Sequence, residues 1–323
     1  MRTQVVVGLL TLLLLAVALL ALAYGEVWLN PLAAGAEEWR ATVLWEIRLP
    51  RVLLAILVGG VLGLSGAALQ GLLRNPLADP SIVGVSACAA LGSVVVLYSG
   101  LAALAWFTLP LGGMLGAGLS VVLVYVLAGS HSSLFSLILA GMAVNAFVGA
   151  LISLVLNVAS NPFAMSEIVY WLLGSFANRS LQDVLISAPF MLAGSLAVLT
   201  AGRYLDALSL GEETATTLGF DPQRWRWIVV GGVAASVGAA VSVSGNIGFV
   251  GLVVPHLLRP LVGHEPRRLL WVSALGGAIL LVLADMLVQA ISGRVELKLG
   301  VITALIGGPF FLYIIMRTRS SEW

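Results

Sequence analysis

Charge is what this 323-residue sequence has least of: Asp, Glu, Lys and Arg together make 10% of it, while 60% is hydrophobic. An average soluble domain carries roughly 25% charged residues. No water-soluble core hides so much apolar side chain, so the surplus faces lipid or neighbouring helices in a bilayer. The charges that exist nearly cancel, to a formal net +1, which argues against nucleic acid as a partner. Cysteine is almost missing too, and the lone Cys88 cannot form an intrachain disulfide. No cysteine and histidine spacing suits a structural zinc site, so no metal is expected on this chain. The GxxxxGK[ST] phosphate loop is also absent, and nothing here cradles ATP in that way. Glycine, by contrast, is plentiful. The 36 glycines, about 11% where roughly 7% is usual, suit helices packed backbone against backbone in a membrane.

Apolar runs of about 17 to 25 residues mark membrane-spanning helices. Ten are predicted, over Val5–Ala23, Val52–Leu73, Ile82–Tyr98, Leu101–Leu127, Leu134–Val158, Val184–Thr200, Ile228–Val243, Ile247–Val262, Leu269–Ile291 and Leu299–Met316. The expectation is an all-α polytopic membrane protein with about ten transmembrane helices, residues 1–323 forming one domain. Arg2 and the small residues near Ala21 and Ala23 give the first run some features of a signal peptide. Its apolar stretch exceeds the roughly 7 to 15 residues of a cleaved signal, so an uncleaved helix is expected. Basic residues collect on the cytoplasmic side. Placing both termini there puts Arg2, Arg74, Arg203, Arg224, Arg226, Arg259, Arg267, Arg268, Arg317 and Arg319 inside, and leaves Arg40, Arg48, Arg51, Arg179, Arg294 and Lys298 outside.

Arg48 and Arg51 stand three apart at a helix start, so both guanidinium groups share one face and are expected to point into the outer aqueous space. They either grip an acidic partner or snorkel to lipid phosphate. Between the sixth and seventh spans, SLGEETATTLGFDPQRW reads as a short helical knob over about 209–220. Ser209 and Glu212 form a capping box, Gly219 supplies the stop, and Asp221 with Pro222 starts the next helix. The plain alternative is a connector. The loop Arg74–Pro80 is stiffened by two prolines. Polar residues inside the spans, Ser65, Gln70, Asn145, Asn157, Asp285 and Gln289, face a cavity or glue helices together. His256 beside Pro255 more often satisfies a freed backbone group than ligates haem. Trp28, Trp39, Trp45, Trp106 and Trp171 read as interfacial anchors.

The stretch RLPRVLLAILVGGVLGLSGAALQGLLRNPLADPSIVGVS from Arg48 to Ser86, followed in order by WLLGSF, GNIGFVGLVVPHLLRPLVG and ELKLGVITALIGGPFF, resembles the FecCD family of ABC permeases. These are ten-helix subunits of importers for ferric siderophores, haem and cobalamin. The resemblance covers nearly the whole chain and implies a cobalamin-importer-permease-like fold in the bacterial inner membrane. It implies a homodimer, two cytoplasmic ABC ATPase subunits that hold ATP and magnesium, and a periplasmic substrate-binding protein, with no enzyme activity and no cofactor on this chain. By resemblance, Arg48, Arg51 and Arg294 receive acidic residues of the binding protein. The knob residues Ser209, Gly211, Glu212, Glu213, Ala215 and Gly219 form the helix that couples to the ATPase. Asn75 and Leu77, with Ser132 and Ser133, belong to an inner gate, and Asn145 lines the path. Two positions depart from the family pattern: Cys88 stands where glycine is usual, and Lys298 replaces a proline.

Two other classes compete with this resemblance. Gly63-Leu64-Ser65-Gly66 spells a weak serine-protease motif with no evident pairing to His256. An ion-coupled secondary transporter needs an ionisable or unwound site near the midplane, and would have no use for the knob.

Overall fold

The computed structural model describes residues 3–25, 27–29, 38–129, 133–159, 161–291 and 297–320. Among the described residues the secondary structure is all helical. Fourteen α-helices follow in order: α1 Thr3–Ala23, α2 Glu38–Thr42, α3 Leu49–Leu72, α4 Val85–Tyr98, α5 Thr108–Ala128, α6 Leu134–Val158, α7 Pro162–Leu172, α8 Leu181–Thr200, α9 Gly202–Ser209, α10 Glu212–Thr217, α11 Pro222–Ser244, α12 Val250–Leu258, α13 Pro266–Ile291 and α14 Leu299–Ser320. Among the described residues, seven stretches are long and apolar enough to cross a membrane: α1, Glu38–Leu72, α5, α6, α8, α11 and α13. Three shorter apolar stretches, Val85–Tyr98, Val250–Val262 and Leu299–Tyr313, accompany them.

Helices α3 and α11 form the centre, with 78% of each apolar window buried, while α1, α5, α6 and α8 bury only 17 to 28% and ring the outside. Outward Leu12, Leu15, Leu115, Val126, Phe135 and Leu185 are more than half exposed, as a face that meets hydrocarbon should be.

The seam between α3 and α13 is built on missing side chains. A Cβ at Gly63 would lie 2.1 Å from the carbonyl oxygen of Ser273, and one at Gly277 would lie 2.1 Å from that of Gly59. Residue numbers rise on α3 as they fall on α13, so the two helices are antiparallel. Cys88 repeats the theme. Its own side chain is buried, and the close approach at that point is supplied by the partner helix, where a Cβ on Gly116 would sit 2.1 Å from the Cys88 carbonyl oxygen.

Several element boundaries differ from the sequence reading. The fourth apolar run does not start a helix at Leu101: a 3₁₀ turn at Leu101–Ala103 precedes α5, because Gly100 takes φ 72 and ends the preceding chain direction. Helix α7 lies outside the ten predicted runs, since Ser166 and Glu167 interrupt its apolar stretch. Trp171 is not an interfacial anchor but 9% exposed, while Trp28, Trp39, Trp45 and Trp106 are exposed.

Candidate functional site

Ahead of α3 the chain forms a π-helical turn, Val43–Arg48, in which the Leu49 N–H reaches back five residues to the Leu44 carbonyl. Pro50 explains it. Its ring lacks an N–H and would collide with the carbonyl four residues earlier, so the turn widens. The widened turn sends Arg48 inward, where it is 9% exposed. Its guanidinium donates to the carbonyls of Leu22 (3.0 Å), Ala23 (2.8 Å) and Val27 (2.5 Å), satisfying the C-terminal end of α1.

Arg51 turns the other way, across the α3–α13 seam. Its Nε and Nη2 donate to Asp285 Oδ2 and Oδ1 at 2.7 and 2.9 Å, a bidentate pair. Gln289 Nε2 completes the Asp285 carboxylate at 2.9 Å. The expectation that both arginines point into the outer water is therefore corrected: Arg48 is bonded to α1 and Arg51 to α13. Of the three arginines grouped by sequence, Arg294 lies outside the described residues. Sequence reasoning missed the partnership of Arg51 and Asp285, which stand 234 residues apart. Two opposite charges near helix ends were the available signal.

The knob lies at the other end of the bundle. Helix α3 separates the two ends by 24 residues, about 36 Å. Helix α13 runs back over the same distance, starting beside α9, where Asp206 Oδ1 accepts from the Arg267 N–H at 2.8 Å. Burial raises the Asp206 carboxyl above its ordinary pKa, and the bond from Arg267 opposes the shift.

The capping box assigned to Ser209 is not formed. Ser209 ends α9 and its hydroxyl donates to the Asp206 carbonyl, while Gly211 at φ 120 caps α10. Glu212 accepts from Arg226 Nη2 at 3.2 Å instead. A true capping box exists elsewhere, at Ser180 and Asp183 before α8. The stop is as expected. Gly219 at φ 87 bonds to the Thr216 carbonyl and the Phe220 N–H to that of Ala215, the two bonds of a Schellman motif. Asp221 then caps α11, accepting from Gln223 and Arg224 N–H groups. Ala215 is fully buried, so its small side chain serves packing inside the chain, not contact with a partner. Glu213, Thr216, Thr217 and Gly219 are exposed, and Leu210 and Leu218 are 71% and 60% exposed beside them. A wedge of Tyr204, Phe220 and Trp225, with Tyr204 and Trp225 stacked at 6.1 Å, holds the knob on α9.

At the same end, Asn75 Oδ1 accepts from the Leu77 N–H at 2.9 Å, and both residues are exposed. Ser132 lies outside the described residues. Ser133 caps α6, accepting from the Ser136 N–H at 3.0 Å. Asn145 is exposed on α6, and Gly149, Ser153 and Asn157 follow it at four-residue spacing, all exposed. His256 rests edge-on against Phe310 at 6.0 Å. Among the described residues no group of His, Cys, Asp and Glu could hold a metal.

Comparison with known proteins gives this arrangement its family. The model of the FecCD transport family matches residues 10–317. The chain belongs to the FecCD transport family. This FecCD chain is 43% identical over 280 residues to an uncharacterised ABC transporter permease protein of Bacillus subtilis, YvrB, covering 85% of this chain and 79% of that one. It is 40% identical over 310 residues to the vitamin B12 import system permease protein BtuC of Vibrio cholerae, covering 96% and 93%. It is 39% identical to the hemin transport system permease protein HmuU of Yersinia pestis, covering 86% and 85%. Among solved structures, an ABC transporter described as metal-chelate type, in an inward-facing conformation, matches with a TM-score of 0.88 at 34% identity over 97% of this chain and 99% of that chain.

Proposed function

We propose that this FecCD chain is the permease subunit of an ATP-driven importer that carries a metal chelate, namely haem, a ferric siderophore or cobalamin, across the bacterial inner membrane by alternating access. The named cargoes of its relatives, vitamin B12 and hemin, support the class. The observation that carries the reading is the separation of two unlike surfaces by the length of α3: an exposed knob with bare Leu210 and Leu218 at one end, and an arginine-bearing end at the other. Two copies enclose the path, which is spanned by about ten helices in each. The exposed amides of Asn145 and Asn157 then face water between copies, since an amide in hydrocarbon would be costly. Two ATPase subunits seat on the knobs, and the inner gate lies at Asn75, Leu77, Ser132 and Ser133. A substrate-binding protein docks outside near Arg48, Arg51 and Arg294. For Arg51 this means competing with Asp285, and for Arg48 it means working through the end of α1.

The test is reconstitution of the chain in liposomes with its ATPase and binding protein, measuring ATP-dependent uptake of haem, ferric siderophores and cobalamin. Uptake of one cargo is expected. Failure of the three proteins to assemble would sink the permease reading.

A further inference from the structure

Beside the knob, the end of α3, the start of α13 and the turn after α12 enclose a crevice of about 270 Å³. Arg74, Arg259 and His264 line it together with the neutral Gln70, Asn75 and Ser209, and no carboxylate is among its lining residues. Of the acids close in sequence to the lining, Glu265 pairs with Arg268, and Asp206 accepts from the Arg267 N–H at the start of α13. Arg259 is held in place by Gln70, whose Oε1 accepts from its Nη2 at 2.5 Å and whose Nε2 donates to the Gly251 carbonyl at 3.2 Å. Gln70 is neutral and leaves the guanidinium charge uncancelled. Among the described residues, neither Arg74 nor Arg259 has an ion-pair partner.

Two of these three basic residues stand where the backbone disfavours them. Arg74 has φ 48 and His264 φ 66. Arg74 occupies the position that ends α3 in a Schellman motif, its N–H bonded to the Gly71 carbonyl and that of Asn75 to the Gln70 carbonyl. Glycine adopts that conformation without the steric cost an arginine bears. Backbone strain of this kind clusters at ligand clamps and switch regions. Arginine forks fit phosphate oxygens. The buried apolar wall of Ala67 and Leu269 suits the less polar group that carries the phosphate.

We infer that this crevice binds a phosphate group, carried by an anionic lipid at the membrane boundary or by a free phosphate species. The inference does not depend on transport. Its test uses the full chain in an uncharged detergent, following the unfolding temperature during titration with phosphatidylglycerol, phosphatidylcholine or inorganic phosphate at constant ionic strength. A saturable rise with phosphatidylglycerol beyond that with phosphatidylcholine identifies a lipid headgroup, and a saturable rise with inorganic phosphate identifies a free anion. Arg74→Gln and Arg259→Gln should each weaken the response about tenfold, the loss of one charge-assisted contact. Arg74→Gly separates binding from folding, because it should raise the ligand-free unfolding temperature while weakening the response. Absence of any saturable response, or titrations unchanged in Arg74→Gln and Arg259→Gln, would overturn the assignment.

Discussion

Asp285 and Arg51 meet with 5% and 18% of their side chains exposed. At such burial, removing one charge strands the other. Asp285→Asn is expected to lower stability by about 3 kcal/mol, read by chemical unfolding in detergent, and Arg51→Gln added to it should restore part of the loss. If Arg51 serves docking, Asp285→Asn should also tighten binding-protein association several-fold in a surface-binding assay, because the internal competitor is gone. Asp79 gives a second residue-scale prediction. Its carboxyl accepts from the Ser81 N–H at 3.0 Å and packs near Gly251, and burial raises its pKa above the ordinary 3.8, opposed by the bond from Ser81. The folded chain thus holds this proton to higher pH than the unfolded chain does. Its contribution to stability falls as pH rises from 3.8 through the raised value. Asp79→Asn keeps the acceptor for Ser81 and should raise the unfolding temperature at pH 7 while flattening its pH dependence below neutral.

Among elements, the α3–α13 seam and the knob have different sensitivities. Gly277→Leu forces a side chain onto the Gly59 backbone and should cost about 3 kcal/mol or more. Gly8→Ala, with open space around it, should be neutral or mildly stabilising. Both are checked by unfolding in detergent. Leu218→Asp on the exposed knob should leave folding unchanged and cut copurification of the ATPase at least about tenfold, since an apolar contact becomes a desolvated charge. What the sequence showed at this scale follows local chemistry. The bounds of α6, the Gly219 stop and the Asp221 cap were legible because each rests on residues within a turn of one another. The start of α10, the inward turn of Arg48 and the burial of Ala215 were not. They depend on a π-turn that no 3.6-residue periodicity reveals, and on contacts between distant segments. Ser209 satisfied a capping pattern but was already used at the end of α9.

For the molecule as a whole, the sparsely buried outer helices dictate what must surround the chain. Most of their exposed side chains are hydrocarbon, as lipid requires, but α6 presents amides. Asn145→Cys should react with a membrane-impermeant maleimide in the assembled transporter while Leu139→Cys, 57% exposed on the same helix, stays unlabelled. The buried Cys88 leaves the background low. Equal labelling of both would remove Asn145 from the water-filled path. Family membership was readable from motif order along nearly the whole chain. The cargo was not, because the relatives that share these motifs are named for different cargoes, vitamin B12 and hemin among them.

The glycine seam between α3 and α13 has a mechanical side. At Gly59, Gly63 and Gly277 the two helices touch backbone to backbone, with no side chain between them. Among the described residues, the Arg51–Asp285 clasp is the side-chain hydrogen bonding that joins the pair. The two helices are thus tied by charge near the arginines and by close packing toward the knob, so the first of these ties answers to salt and acid and the second does not.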